Sequence, residues 1–198
     1  MAINKLINAK VFTVALLMVA ALAFNACSKS EPEIDNTRSF YMGMTPWPAD
    51  FTIAEVDTAY SFINNHCDII SHHFDDGIPY EEAYLNQPFP AAMQQDVQTR
   101  LNKTAPGKKI ILSVAALNIS RGEKADYYAQ SAVATGIKDA WKLLPFNDPK
   151  VVDAYMNYLS WLIDSFDPEL VNFAVESNLS LFDPTAFLQY KDLSPAKN

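Results

Sequence analysis

Leu170-Val-Asn-Phe-Ala-Val-Glu-Ser-Asn178 carries an apolar, β-favouring run into a carboxylate and two small polar residues. It reads as a buried strand that delivers Glu176 at its C-terminal end. Residues 39–47, 67–76 and 108–118 have the same build, each passing from apolar and β-favouring residues into polar or aromatic ones. Four such strands alternating with helical patterns predict an α/β fold: the first four strand–helix units of a TIM-barrel-like (β/α) barrel, a fold that carries its chemistry at strand ends.

The intervening stretches support that alternation. Thr52 and Glu55 have the spacing of a capping box, in which hydroxyl and carboxylate satisfy free amides at a helix start. A helix over 53–64 follows, with Ala54, Val56, Ala59, Tyr60 and Ile63 on its apolar face. Shorter helical signals cover 80–85 and 90–103, the latter with Pro90 at the first helical position. The third strand is Ile-rich without alternation, as expected where both faces are covered. Residues 120–144 read as an elaborated, weakly helical loop above the barrel end. Asp148-Pro149 starts a helix that continues through Tyr155, Tyr158, Leu159 and Ile163, and 182–187 begin another.

The first 38 residues are of a different kind. Lys5 and Lys10 precede a continuous apolar segment over 11–24, and Cys27 follows a small residue, Ala26. The segment falls short of the roughly 20 residues that a membrane span requires. Residues 1–26 are therefore expected to be a signal peptide. The Phe24-Asn-Ala-Cys27 stretch resembles the lipobox of bacterial lipoproteins. That resemblance implies lipid on Cys27, a tether over 27–38, and attachment to the cell envelope at the outer membrane or cell surface. Lipidation would leave Cys67 with no cysteine partner, and its apolar context marks it as a small core residue.

The chain is 49% hydrophobic with a net charge of -8, which suits a globular domain with a sizeable core. Loss of 1–26 removes two lysines and no acids, taking the charge to -10. With no basic cluster to neutralise phosphates, nucleic acid is not an expected partner, and neutral or cationic ligands fit better. Five glycines without phosphate-loop spacing give no sign of a nucleotide, and no cofactor is expected. No Gly-x-Ser-x-Gly elbow occurs. A complete barrel takes roughly 250 residues and eight units. The 198 residues less the 26 of the signal leave 172, so 39–198 are expected to be the first half of a barrel whose remainder lies on a longer frame.

Three features together resemble the N-terminal half of a clan A glycoside hydrolase of the endo-galactanase-like kind: an opening Phe40-Tyr-Met-Gly-Met-Thr-Pro, a second strand ending His72-His-Phe-Asp-Asp-Gly, and a fourth-strand glutamate. The resemblance implies a polysaccharide or oligosaccharide substrate. Glu176 would be the general acid and base, with the nucleophilic carboxylate on a later strand outside this chain. In that clan an Asn usually precedes the acid/base Glu; here Val175 does, and Asn178 follows two residues on. The alternative is a barrel lipoprotein that binds glycan without cleaving it.

The remaining polar candidates are read beside that assignment. His72 and His73 alternate to opposite faces of the strand, so one of them points inward, toward sugar hydroxyls, with Asp75 or Asp76 as orienting acceptor. Paired metal ligands on one strand face want His-x-His spacing, which is missing, so no metal is assigned. Trp47 follows the first strand, where an aromatic face can stack on a sugar ring, as could Tyr80 or Tyr84; the ordinary role of such residues is to pack loops. Asn118 either donates to a sugar or caps its own turn. Asn178 completes the proposed substrate contacts.

Overall fold

Parallel strands cannot be joined by tight turns; each return needs a crossover, and here helices supply it. The structure, a computed structural model, describes residues 38–173 and 175–176. Residues 1–39 and 40–198 form separate units, the first represented by Arg38 and Ser39 alone. The signal segment, Cys27, most of the tether, Asn178 and the helix expected after 182 lie outside the described residues.

In chain order, β1 (Gly43–Met44) leads through α1 (Ile53–His66) to β2 (Ile69–Phe74). Helices α2 (Tyr80–Tyr84) and α3 (Ala91–Lys103) precede β3 (Lys109–Val114), and α4 (Thr135–Leu143) and α5 (Pro149–Phe166) precede β4 (Leu170–Asn172). The sheet order is β1-β2-β3-β4 and every pairing is parallel. The protein is therefore α/β, a four-stranded parallel sheet with helical crossovers.

The register shows which face the helices cover. Ile70, His72 and Phe74 of β2 align with Ile110, Leu112 and Val114 of β3, and all six are buried. His72 packs against Tyr60 of α1 and Phe166 of α5, so these helices share that face. On the other face Ile69 and Ser113 are buried, but Ser71, His73, Lys109 and Ile111 are only half-buried. This corrects the expectation that β3 is covered on both sides. It also corrects the reading of the fourth strand as buried: among the described residues β4 is an edge strand with one neighbour, and Leu170 is 54% exposed. Each strand is shorter than its sequence signal, because the polar or aromatic end of each stretch lies in the loop beyond the ladder.

Helix α5 forms the centre of the core. Val151, Tyr155, Tyr158, Leu159, Leu162 and Phe166 recur at three- and four-residue spacing and all are buried. As expected, Asp148 caps its start, accepting from the Lys150 amide at 2.9 Å, with Pro149 in the first turn. Thr52 caps α1 as expected, accepting from the Glu55 amide. On that helix Tyr60 and Ile63 are buried while Ala54 is exposed. Pro90 stands one residue before α3, with ψ 136°, instead of inside it. Within 120–144 the chain forms α4.

The end of α1 is closed by a cation. Lys108 Nζ donates to the carbonyls of Asn64 at 3.0 Å, Ile63 at 3.3 Å and Cys67 at 2.5 Å. Cys67, the C-cap residue, is itself buried, as its apolar context suggested. An ammonium among the carbonyls at the negative end of a helix dipole stabilises that end. Lys108→Met should therefore cost about 1–2 kcal/mol in a urea midpoint measurement. An unchanged midpoint in Lys108→Met, which keeps a stem of similar length and removes the charge, would show that the stem, and not the charge, matters.

Candidate functional site

The loops after β1 and β2 meet α3 at the C-terminal end of the sheet and enclose two adjoining cavities. The first, about 330 Å³, is lined by Trp47, Tyr60, His73, Asp75, Asp76 and Arg100 among others. The second, about 420 Å³, is lined by Phe74, Met93, Tyr128 and Tyr158. Asp76, Asp96 and Thr99 belong to both, forming the rim between them.

Local sequence explains how these side chains arrive. Pro46 and Pro48 flank Trp47 and hold the chain out of the ladder, leaving the indole 72% exposed. Gly77 has φ +98°, and a Cβ there would lie 2.7 Å from the Asp126 carbonyl, so only glycine makes this turn after Asp76. Ile78 is then fixed to the following loop by bonds to Asp126 and Tyr128. Arg100 lies 4.4 Å over the Phe74 ring, donates to the His73 carbonyl at 2.9 Å and pairs with Asp96 at 2.8 Å. It thereby ties α3 to the end of β2. His73 Nε2 stands 3.3 Å from Asp75.

Tyr60 is 6% exposed, and burial pushes its hydroxyl up to about 12. Burial also raises Tyr128 and Tyr158, with Asp76 and Asp96 acting in the same direction. These phenols are protonated at neutral pH and present donors to the cavities.

Trp47, His73, Asp75 and Asp76, all selected from sequence, thus come together. His72 does not join them. It is fully buried beneath the helices, which corrects its assignment as a substrate contact. Alternation sent one histidine to each face, and the His72 face is the one that α1 and α5 cover. Tyr80 is 1% exposed and stacks on Trp141 at 5.4 Å, and Tyr84 meets the same indole edge-on, so both pack loops.

Glu176 and Asn118 form a second group. Glu176 lies on an exposed turn with φ +54°, and its carboxylate meets Arg121 Nε and Nη2, both at 2.5 Å. Arg121 also donates to the Asn118 carbonyl at 2.8 Å, and the Asn118 carboxamide oxygen accepts from Ser120 at 3.0 Å. Asn118 therefore caps its own turn. Glu176 here is one half of an exposed ion pair; a general acid is favoured instead by apolar walls.

The residues that sequence reading missed are Asp96, Arg100, Tyr128 and Tyr158. An Asp96–Arg100 pair at i,i+4 was visible as a helix-surface contact, but nothing placed it opposite Asp76. Tyr158 carries the core period of α5 and was indistinguishable from packing. Among the described residues no three His, Cys, Asp or Glu side chains converge as a metal set. No family model, curated protein or solved structure matches the chain.

Proposed function

We propose that the protein binds poly- or oligosaccharide in the groove along α3, as a (β/α)-barrel protein held at the bacterial cell envelope by lipid on Cys27. The observation that carries the reading is the convergence of an exposed indole, a histidine and three carboxylates on one cavity at the strand ends. An aromatic face for the apolar side of a sugar ring, with a few polar groups to fix its hydroxyls, is the usual division of labour in such a site. Parallel strands and helical crossovers are compatible with a barrel, and the basic and apolar start of the chain supports export.

Tryptophan fluorescence titrated with oligosaccharides from plant and host polysaccharides tests this. At least one should bind, and Trp47→Ala should weaken it about tenfold, the loss expected for one stacking contact. Absence of binding across a broad panel would overturn the reading.

A glycosidase reading has one geometric support: Glu176 lies beyond the C-terminal end of β4, on the same side of the sheet as the groove. Its test is hydrolysis. Cleavage of any glycan that disappears in Glu176→Gln, with binding retained, would establish it; cleavage that survives the substitution would remove Glu176 from the chemistry.

A further inference from the structure

The larger cavity carries a charge imbalance that glycan binding alone does not require. Its polar lining is two carboxylates, Asp76 and Asp96, two carboxamides, Gln95 and Gln130, the Thr99 hydroxyl and two phenols, Tyr128 and Tyr158, with no lysine, arginine or histidine. Asp96 is compensated by Arg100. Asp76 has no ion-pair or hydrogen-bond partner among the described residues.

The phenols add an independent sign of a ligand. Tyr158 is 2% exposed and Tyr128 7%, yet neither hydroxyl has a hydrogen-bond partner among the described residues. They are not sealed in. Of unpartnered side-chain nitrogens and oxygens among these residues, His72 Nδ1 is the one cut off from solvent, so the two hydroxyls open on the cavity they line. Polar groups of buried side chains are normally satisfied, and a pair left open toward one concave space is arranged for something that enters it.

Resting on the glycan reading above, we propose that this cavity is a subsite for one amino-sugar unit with a free amine. Its ammonium lies against Asp76 and Asp96, and its hydroxyls meet Tyr128 and Tyr158. A cation there neutralises the unbalanced carboxylate. An acidic sugar meets like charge in a concave site, where repulsion is poorly screened. This cavity therefore selects cationic over neutral over anionic units.

Calorimetric titration of the full chain with a glucosamine trimer, its fully N-acetylated counterpart and free glucosamine tests this. The amine trimer should bind about tenfold more tightly than the acetylated one, the equivalent of one charge-assisted contact. Asp76→Asn should reduce that preference to within about twofold. Tyr158→Phe should weaken both ligands without changing the melting temperature, because the hydroxyl makes no intramolecular bond. Equal affinity for the two trimers, or a preference that survives Asp76→Asn, would overturn the inference while leaving Trp47-dependent glycan binding intact. Asp76-dependent binding of free glucosamine with no oligosaccharide bound would keep the cationic site and overturn the glycan reading. No binding of any of the three would overturn both.

Discussion

Replacing His72 by leucine should flatten the acid side of the protein's stability profile. His72 Nε2 lies 3.0 Å from Thr104 Oγ1, whose own proton goes to the Arg100 carbonyl at 2.8 Å. The Nε2–H therefore donates, the ring is neutral, and Nδ1 is left without a partner. Burial, with Arg100 adding to it, lowers the imidazole from 6.5 to about 4. The unfolded chain takes up a proton on this residue as pH falls below 6.5, while the folded protein resists until about pH 4. In that window the unfolded state binds more protons, so stability is lost as the pH falls from 6.5 toward 4. The loss is about 3 kcal/mol over the window, and no more arises from this group below it. Urea midpoints measured across the same range for wild type and His72→Leu check this. The two proteins should be similar at neutral pH, where one buried hydrogen bond is exchanged for relief of an unsatisfied nitrogen. They should diverge in acid, with the variant the more stable. Parallel profiles would mean that His72 titrates normally.

Glu82→Ala should unfasten the loop between β3 and α4. The carboxylate is 6% exposed and accepts from Tyr127 Oη at 2.6 Å and from Ser131 Oγ at 2.5 Å. Short helix α2 also holds that loop through Tyr80 Oη, which donates to the Ala125 carbonyl at 2.8 Å, and through the Glu81 amide, which donates to Tyr127 Oη at 3.2 Å, while Trp141 Nε1 of α4 donates to Glu81 at 2.7 Å. Hydrogen bonds to a charged acceptor contribute about 1.5–3 kcal/mol each, and part of that offsets the desolvation of the carboxylate. A net loss of about 3 kcal/mol is expected on truncation. Tyr127→Phe, which removes one donor, should cost about 1–1.5 kcal/mol. Limited proteolysis supplies the second readout: cleavage within 118–133 should accelerate in Glu82→Ala and not in a core variant of equal stability loss. Uniform acceleration across the chain would show that Glu82 supports the fold as a whole.

How far the sequence could be read depended on whether a signal was local. The capping residues Thr52 and Asp148, the period of α5 and the four β-favouring runs are local, and the structure has them near where they were expected. Edge position is not local. Leu170, Val171 and Asn172 look like a buried strand because β propensity and burial share the same residues, and what exposes them is that β4 has one neighbour among the described residues. Site residues followed the same division. Trp47, His73, Asp75 and Asp76 end strands, and strand ends meet at one side of a parallel sheet, so their convergence was foreseeable. Asp96 and Tyr158 reach the same cavities from helices at crossing angles that no spacing encodes. His72 was misassigned because alternation states that neighbours diverge without stating which face the helices will take.

The closure of α1 by Lys108 gives the protein a reporter of its own local opening. Cys67 follows the last turn of that helix, is 7% exposed, and contributes one of the carbonyls that Lys108 holds. A thiol reagent can reach it only when this corner lifts. In a Cys27→Ser background it is the sole thiol in the chain. The rate of its modification would then count excursions of the α1–β2 junction directly, distinguishing a corner that frays by itself from one that yields only when the whole sheet comes apart.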